Sequence, residues 1–396
     1  MKNVSILFFL VCFFFNCSKD SGSNTNEPVT DPFATVTLVT KQPTFNFANN
    51  SLVLGGTLSL NLDANNSGNY SFGVCFSTTS NPTISNFVSN SFSFSNLDFD
   101  CNENSNFSFG QTFYFRAFIR KVQTNEVKYG NEITFVKNLD LTTSIVKDIS
   151  VNSFKVNVNV GSDFNSNDER GICFSTSQNP TVSNIYRQDA TDGSGDFTIN
   201  YYFLNATPNT TYYLRSYVKY FGRTYYGNQV SFKSCGYVGG SGGYVFYDKG
   251  EITNGWRYLE SAVSKYIYNG DQNWHFTWNS CNSMSFLNGL SIEIGTGKEN
   301  TNIIKSNCNF TNNAAAMSNF QSLNNQTDWF LPSINELKEF HKLEQENIIN
   351  YSNDAYPILS SSQASDNQCY ALYFPNGNQT IISKNYAGDI WKVRRF

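Results

Sequence analysis

Between residues 35 and 233, apolar and polar side chains alternate with a period of two. In "TYYLRSYVKY" Tyr212, Leu214, Ser216 and Val218 fall on one face, and Tyr213, Arg215, Tyr217 and Lys219 on the other. That is the pattern of a half-buried antiparallel strand. Turn signals at Asn81-Pro82, Asn179-Pro180 and Asn209 flank the β-branched and aromatic runs. Beyond residue 235 the period changes. Leu337, Phe340, Leu343 and Ile348 recur at helical spacing, so "SINELKEFHKLEQENI" predicts an amphipathic helix. Its entry is a capping box: Ser333 accepts from the backbone N–H near Glu336, whose carboxylate accepts from the serine N–H. Pro332 keeps the residue before it out of helical conformation. A second helix is expected over 312–323 with Thr311 as its cap, and strands over 369–374, 378–383 and 390–396. Helices among short strands make this last region α+β.

The alternating region is a repeat. "GVCFSTTSNPTIS" at Gly73 returns as "GICFSTSQNPTVS" at Gly171, "FYFRAF" at Phe113 as "YYLRSY" at Tyr212, and "YGNEITF" at Tyr129 as "YGNQVSF" at Tyr226. The order is kept at an offset of about 98 residues, a length that suits a seven-stranded β-sandwich. The expected divisions are therefore a first sandwich over 35–137, a second over 138–233 and an α+β domain over 235–396.

The amino-terminal residues point to export. Lys2 precedes an apolar run over 4–15, too short to span a bilayer but suited to a signal-peptide core. Cys17 follows at the polar edge and resembles the acylated cysteine of bacterial lipoproteins, although Phe14, Phe15 and Asn16 stand where that motif prefers Leu and small residues. Residues 1–17 then form a lipoprotein signal peptide, anchored to the outer membrane through Cys17, and 18–34 a flexible linker rich in Ser, Asn, Asp and Gly.

Composition narrows the function. The chain of 396 residues is 16% aromatic but only 15% charged, with a net charge of −4. No basic run is present to displace the counterions of a nucleic acid, so no nucleic-acid partner is expected. The glycines of "CGYVGGSGGYVFYDKG" precede a strand, whereas phosphate cradles need them after one. In "IGTGKENTN" Lys298 lacks the Ser or Thr of a phosphate-binding loop. Both segments read as tight turns, and no cofactor is expected.

Two family resemblances follow. The "GVCFSTTSNPT" and "TYYLRSY" strands resemble fibronectin type III-like (or Ig-like) sandwiches of bacterial surface proteins. That resemblance implies a tyrosine-corner hydroxyl at Tyr212, for which the first repeat has Phe113. "GGYVFYDKG", "GWRYLE", "IGTGKENTN", "DWFLPSINEL" and "KVRRF", in that order, resemble the Lcl C-terminal domain family, domain of unknown function 1566. That resemblance implies a C-type lectin-like fold, display on a bacterial surface and binding of a glycan or protein in adhesion. It also implies a Cys281–Cys308 disulfide, with Cys235 and Cys369 as the remaining candidate pair of an even set of four. The sequence departs from the family at "ILSSS", where Leu359 replaces tryptophan. From residue 236 onward 8 Lys and 3 Arg face 6 Asp and 8 Glu, a net charge of −3, so a neutral glycan or a protein fits better than a polyanion.

Exposed aromatics of the last domain are the expected means of recognition. Trp274 and Trp278 lie in "GDQNWHFTWNS" with Asp271 and His275, and Asp328 and Trp329 precede the predicted helix. Zinc is not expected, because no CxxC occurs. His275 and His341 are the two histidines, yet no nucleophile with an orienting partner stands at a readable spacing. Asp328 and Glu336 read as a loop residue and a helix cap rather than a glycosidase pair. The chain therefore reads as a non-enzymatic recognition protein. Assembly of a surface complex is the first alternative, and glycan processing outside the cell the second.

Overall fold

The computed structural model describes residues 31–46, 51–59, 68–91, 97–104, 107–161, 164, 167–203, 206–266, 275–278, 285–308, 313–320, 322, 324–351 and 356–396. The expected signal peptide, Cys17 and the linker up to residue 30 lie outside them. No helix among the described residues is long and apolar enough to cross a membrane. The chain forms two compact units, one ending at Val136 and one running from Lys137 to Phe396.

The first unit is a β-sandwich. One sheet is built from β1 (Leu38–Thr40), β2 (Thr44–Asn46), β3 (Ser51–Leu58) and β6 (Asp98–Glu103), with β3 paired to the other three. The second has the order β5-β4-β7-β8, from β4 (Tyr70–Ser77), β5 (Phe87–Ser91), β7 (Thr112–Lys121) and β8 (Val127–Tyr129), with β9 (Ile133–Val136) also on β7. Inward residues of both sheets, among them Leu52, Leu54, Val74, Phe99 and Phe115, form one core. That core begins earlier than expected. Asp31 accepts from Phe33 N at 3.0 Å and caps α1 (Pro32–Thr35), and Phe33 is fully buried against Tyr70. Residues 31–34 thus belong to the sandwich, because one phenylalanine in a polar stretch finds a core position.

The second sandwich repeats the first. β10 (Leu141–Lys147), β11 (Ser153–Val160) and β14 (Gly195–Tyr202) form one sheet, and β13 (Ile185–Gln188), β12 (Arg170–Ser175), β15 (Thr211–Tyr220) and β16 (Arg223–Lys233) the other. The duplication extends to individual bonds. Thr83 N donates to Asn86 at 2.8 Å and Thr181 N to Asn184 at 2.9 Å. The Arg116 guanidinium lies over Tyr129 and donates to Gly130 O, while Arg215 lies over Tyr226 and donates to Gly227 O. Asn81 and Asn179 both adopt the left-handed conformation, at φ 59° and 56°, which asparagine tolerates better than most residues. The Tyr212 ring, the expected tyrosine corner, is buried and stacked against Phe232.

The second unit continues without a break into the C-terminal domain. The turn between β10 and β11 carries Val151, which is fully buried in the core of that domain. Ile149 and Asp248 exchange two backbone hydrogen bonds of 2.8 Å. Lys147 pairs with Glu251, Tyr247 with Asp148, and Lys342 Nζ donates to Ser153 at 3.0 Å. A Cβ on Gly250 would meet Val146 O at 2.3 Å, so this glycine permits the close approach of the two chains.

The C-terminal domain has a sheet of β17 (Tyr237–Val238), β18 (Tyr244–Thr253), β19 (Trp256–Ser261) and β25 (Val393–Arg395). A second sheet holds β21 (Ile358–Gln363), β22 (Gln368–Tyr373) and β23 (Asn378–Ser383), and a short pair joins β20 (Phe276–Thr277) to β24 (Ala387–Gly388). Three helices pack with them: α2 (Gly297–Asn307), α3 (Ala314–Phe320) and α4 (Ile334–Gln345). The capping box at Ser333 and Glu336 forms as expected. α2 was not legible, because "IGTGKENTN" opens on glycines. Thr311, the expected cap of α3, lies outside the described residues; Asn313 accepts from Ala316 N at 2.8 Å instead.

The cysteines correct one expectation. Cys235 and Cys369 are both free and fully buried. Cys235 donates to Ile149 O at the domain junction, whereas Cys369 packs beside Trp278 and Cys308. They serve separate cores and do not pair. Cys308 is disulfide-bonded, and Cys281, its expected partner, lies outside the described residues.

Candidate functional site

Many charged residues of the C-terminal domain are spent on each other. Glu336 is completely buried, and its carboxylate accepts from Ser333 N at 2.7 Å, Gly295 N at 2.9 Å and Gly297 N at 3.4 Å. A Cβ on Gly297 would lie 2.2 Å from that carboxylate, so the second glycine of "GTG" lets the loop close on the helix entry. Burial pushes the Glu336 carboxyl up to about 7 despite these donors. Arg394 holds Asp328 at 3.0 and 3.3 Å, Ser241 at 2.8 Å and Gln326 at 3.0 Å, and lies 3.5 Å from buried Glu260. Arg395 donates to Gly295 O and pairs with Glu299. Glu336 is therefore structural, as expected, and Asp328 is tied to Arg394 while its side chain stays 34% exposed.

The expected aromatic face is corrected by burial. Trp278 and Trp329 are both fully buried, and Trp256 and Trp391 nearly so. Trp278 Nε1 donates to Ser360 O at 2.7 Å, beneath Lys384 Nζ at 4.7 Å from the ring. Trp329 lies in the main core with Phe330 and Leu337. Both were drawn inward because a large apolar ring gains more from burial than a flanking polar residue can offset. Trp274 and Asp271 lie outside the described residues. Leu359 is fully buried against Leu331 and Ile390.

His275 leads to a second polar centre. β20 pairs with β24 through Phe276↔Gly388 and Thr277↔Ala387, so His275 comes opposite Asp389. Gly388 is required there, since a Cβ would meet Leu359 at 2.6 Å. Asp389 is 4% exposed and gathers three donors: His275 Nδ1 at 2.8 Å on one oxygen, Lys265 Nζ at 3.1 Å and Tyr351 OH at 3.1 Å on the other. The His275 ring stacks on Tyr356, with centroids 3.6 Å apart and planes at 25°. The carboxylate orients the ring through Nδ1 and turns Nε2 away from it. The His275 side chain is 16% exposed. Asp389 and Tyr351 were missed in the sequence because they lie far from His275 along the chain, and Lys265 because nothing near it marks a partner. No group of residues suited to hold a metal occurs among the described residues.

His341, the other histidine, is a core residue. It is 5% exposed, bonded to Phe374 O at 2.6 Å, and burial lowers its pKa.

No protein-family model matches the chain, and no curated protein does. Among solved structures, the chicken interferon gamma receptor alpha chain is 13% identical over 50% of this chain and 97% of that one, with a TM-score of 0.24. The FN1–FN3 domains of chicken CNTN1 are 10% identical over 50% of this chain and 67% of that one, with a TM-score of 0.19. Scores this low carry no functional argument. The two β-sandwiches rest on the strand orders and pairings described above.

Proposed function

We propose that the protein is exported and lipid-anchored to the outer membrane through Cys17, and that it displays a C-terminal recognition domain, lectin-like in fold and akin to the Lcl C-terminal family, on two sandwiches. The observation that carries this reading is the junction in the second unit. Val151, the Ile149–Asp248 backbone pair and the Lys342–Ser153 bond fix the last domain on the second sandwich, as display at the end of a stalk requires. The ligand is a neutral glycan or a protein, in keeping with the domain's net charge of −3 and a polar centre at His275 rather than an aromatic platform. The fragment to test is 137–396, because 235–396 alone would expose Val151's site. A glycan array and a pull-down from cell-surface extract should each be run with this fragment; retention of no ligand in either rules out recognition. Replacement of Cys17 by Ala should abolish acyl labelling and release the protein from the membrane fraction.

The oriented His275–Asp389 pair favours one second reading, an extracellular hydrolase using Nε2 as base. Turnover of glycan or peptide substrates that is lost in His275→Ala would select it.

A further inference from the structure

The first sandwich carries a groove of about 630 Å³ lined by Phe76, Ser77, Thr78, Ser85, Asn86, Phe87 and Phe113. Its origin lies in a difference between the repeats. In the second sandwich Phe154 and Tyr201 face each other across β11 and β14, and both rings close on Phe174, at 5.4 and 4.8 Å between centroids. In the first, the same register across β3 and β6 places Leu52 opposite Glu103. Neither position carries a ring in the first repeat. Phe76, the counterpart of Phe174, packs on Phe107 and Phe115 in the core, and Phe87 from the edge strand β5 stacks on it with centroids 5.6 Å apart and planes at 21°. Phe87 is 71% exposed, in the place of Ile185 in the second repeat.

The lining defines the chemistry. No residue in it is charged, which disfavours an anionic ligand. Asn86 Oδ1 is taken by Thr83 N at 2.8 Å, which leaves the amide Nδ2 free to donate; the Ser85 and Thr78 hydroxyls stand beside it. An apolar occupant would cover these groups without satisfying them, at a cost. A neutral pyranose meets both requirements, its C–H face on Phe87 and its hydroxyls on Asn86 and the hydroxyl rim. The volume lies within the range of sites that enclose a small ligand. We propose that the first sandwich is itself a binding module, taking neutral oligosaccharides in the groove between Phe87 and Asn86. This site is independent of the C-terminal domain.

The test is saturation-transfer NMR on the full chain carrying Cys17→Ala, with maltohexaose, cellohexaose, laminarihexaose and mannohexaose as neutral probes and a heparin hexasaccharide as the charged control. At least one neutral probe should receive saturation. Phe87→Ala, at an exposed position, should weaken it at least about tenfold. So should the double variant Leu52→Phe/Glu103→Tyr, which restores the rings of the second repeat. Ile185→Ala, at the position in the second repeat that matches Phe87, should leave it unchanged, which ties the binding to the first sandwich. Transfer to none of the four neutral probes, preference for the heparin fragment, or binding undiminished in both groove variants overturns the proposal.

Discussion

His275 and Asp389 face each other across a two-residue strand pair, Nδ1 to Oδ1 at 2.8 Å, and the same carboxylate holds Lys265 and Tyr351. Removing the carboxylate charge weakens three buried contacts at once, those to His275, Lys265 and Tyr351. Asp389→Asn should therefore cost about 3–5 kcal/mol, whereas His275→Ala should cost clearly less, since the ring lies at the surface side of the pair. Tryptophan fluorescence during denaturation measures both, and it reports the C-terminal domain alone because every tryptophan lies there.

Glu336 gives a pH signature. Its carboxyl is raised to about 7 in the fold from an ordinary 4.5. The unfolded chain therefore ionises first, and between about pH 4.5 and 7 it holds fewer protons than the folded one. Stability should fall as pH rises across that window, by about 3 kcal/mol, and level off above it. Glu336→Gln should flatten this part of the profile. An unchanged slope in the variant would assign the pH dependence elsewhere.

Arg394 joins three motifs. Arg394→Ala should destabilise the domain by about 3–5 kcal/mol, because Glu260 is left buried without a counter-charge. Arg394→Lys should recover little, since one ammonium cannot reproduce the forked contacts to Asp328, Ser241 and Gln326.

Five buried cysteines, Cys75, Cys101, Cys173, Cys235 and Cys369, are free thiols. Burial raises each of them, Cys75 and Cys101 to about 11 and Cys173 and Cys369 to about 12. Alkylation without reductant should modify none of them in native protein and all five after denaturation, read by peptide mass spectrometry. Protection of Cys235 and Cys369 after denaturation would restore the disulfide between them.

The legible parts of this molecule were those with local causes. Period-two alternation gave the sandwiches, and Ser333 with Glu336 gave the entry to α4, because strand pleat and helix cap are written within a few residues. The repeat was legible to single bonds, as the Asn86 and Asn184 turns demonstrate. What failed depended on distant partners. Trp278 looked exposed beside Asn and Ser, yet Ser360, far along the chain, takes its N–H. Asp389 gave no sign of meeting His275 until the β20–β24 register placed it there. The groove at Phe87 needed the fold, since its lining joins Phe76, Phe87 and Phe113 from three separate strands.

The central claim is that the C-terminal domain, fixed on the second sandwich, recognises a ligand through the surface at His275. Retention of cell-surface glycan or protein by fragment 137–396, compared with the same fragment carrying His275→Ala, tests it most directly. The account predicts retention by the first and at least about a tenfold loss in the second, with an unfolding midpoint lowered far less than by Asp389→Asn. Equal retention by both, or none by either, would contradict it.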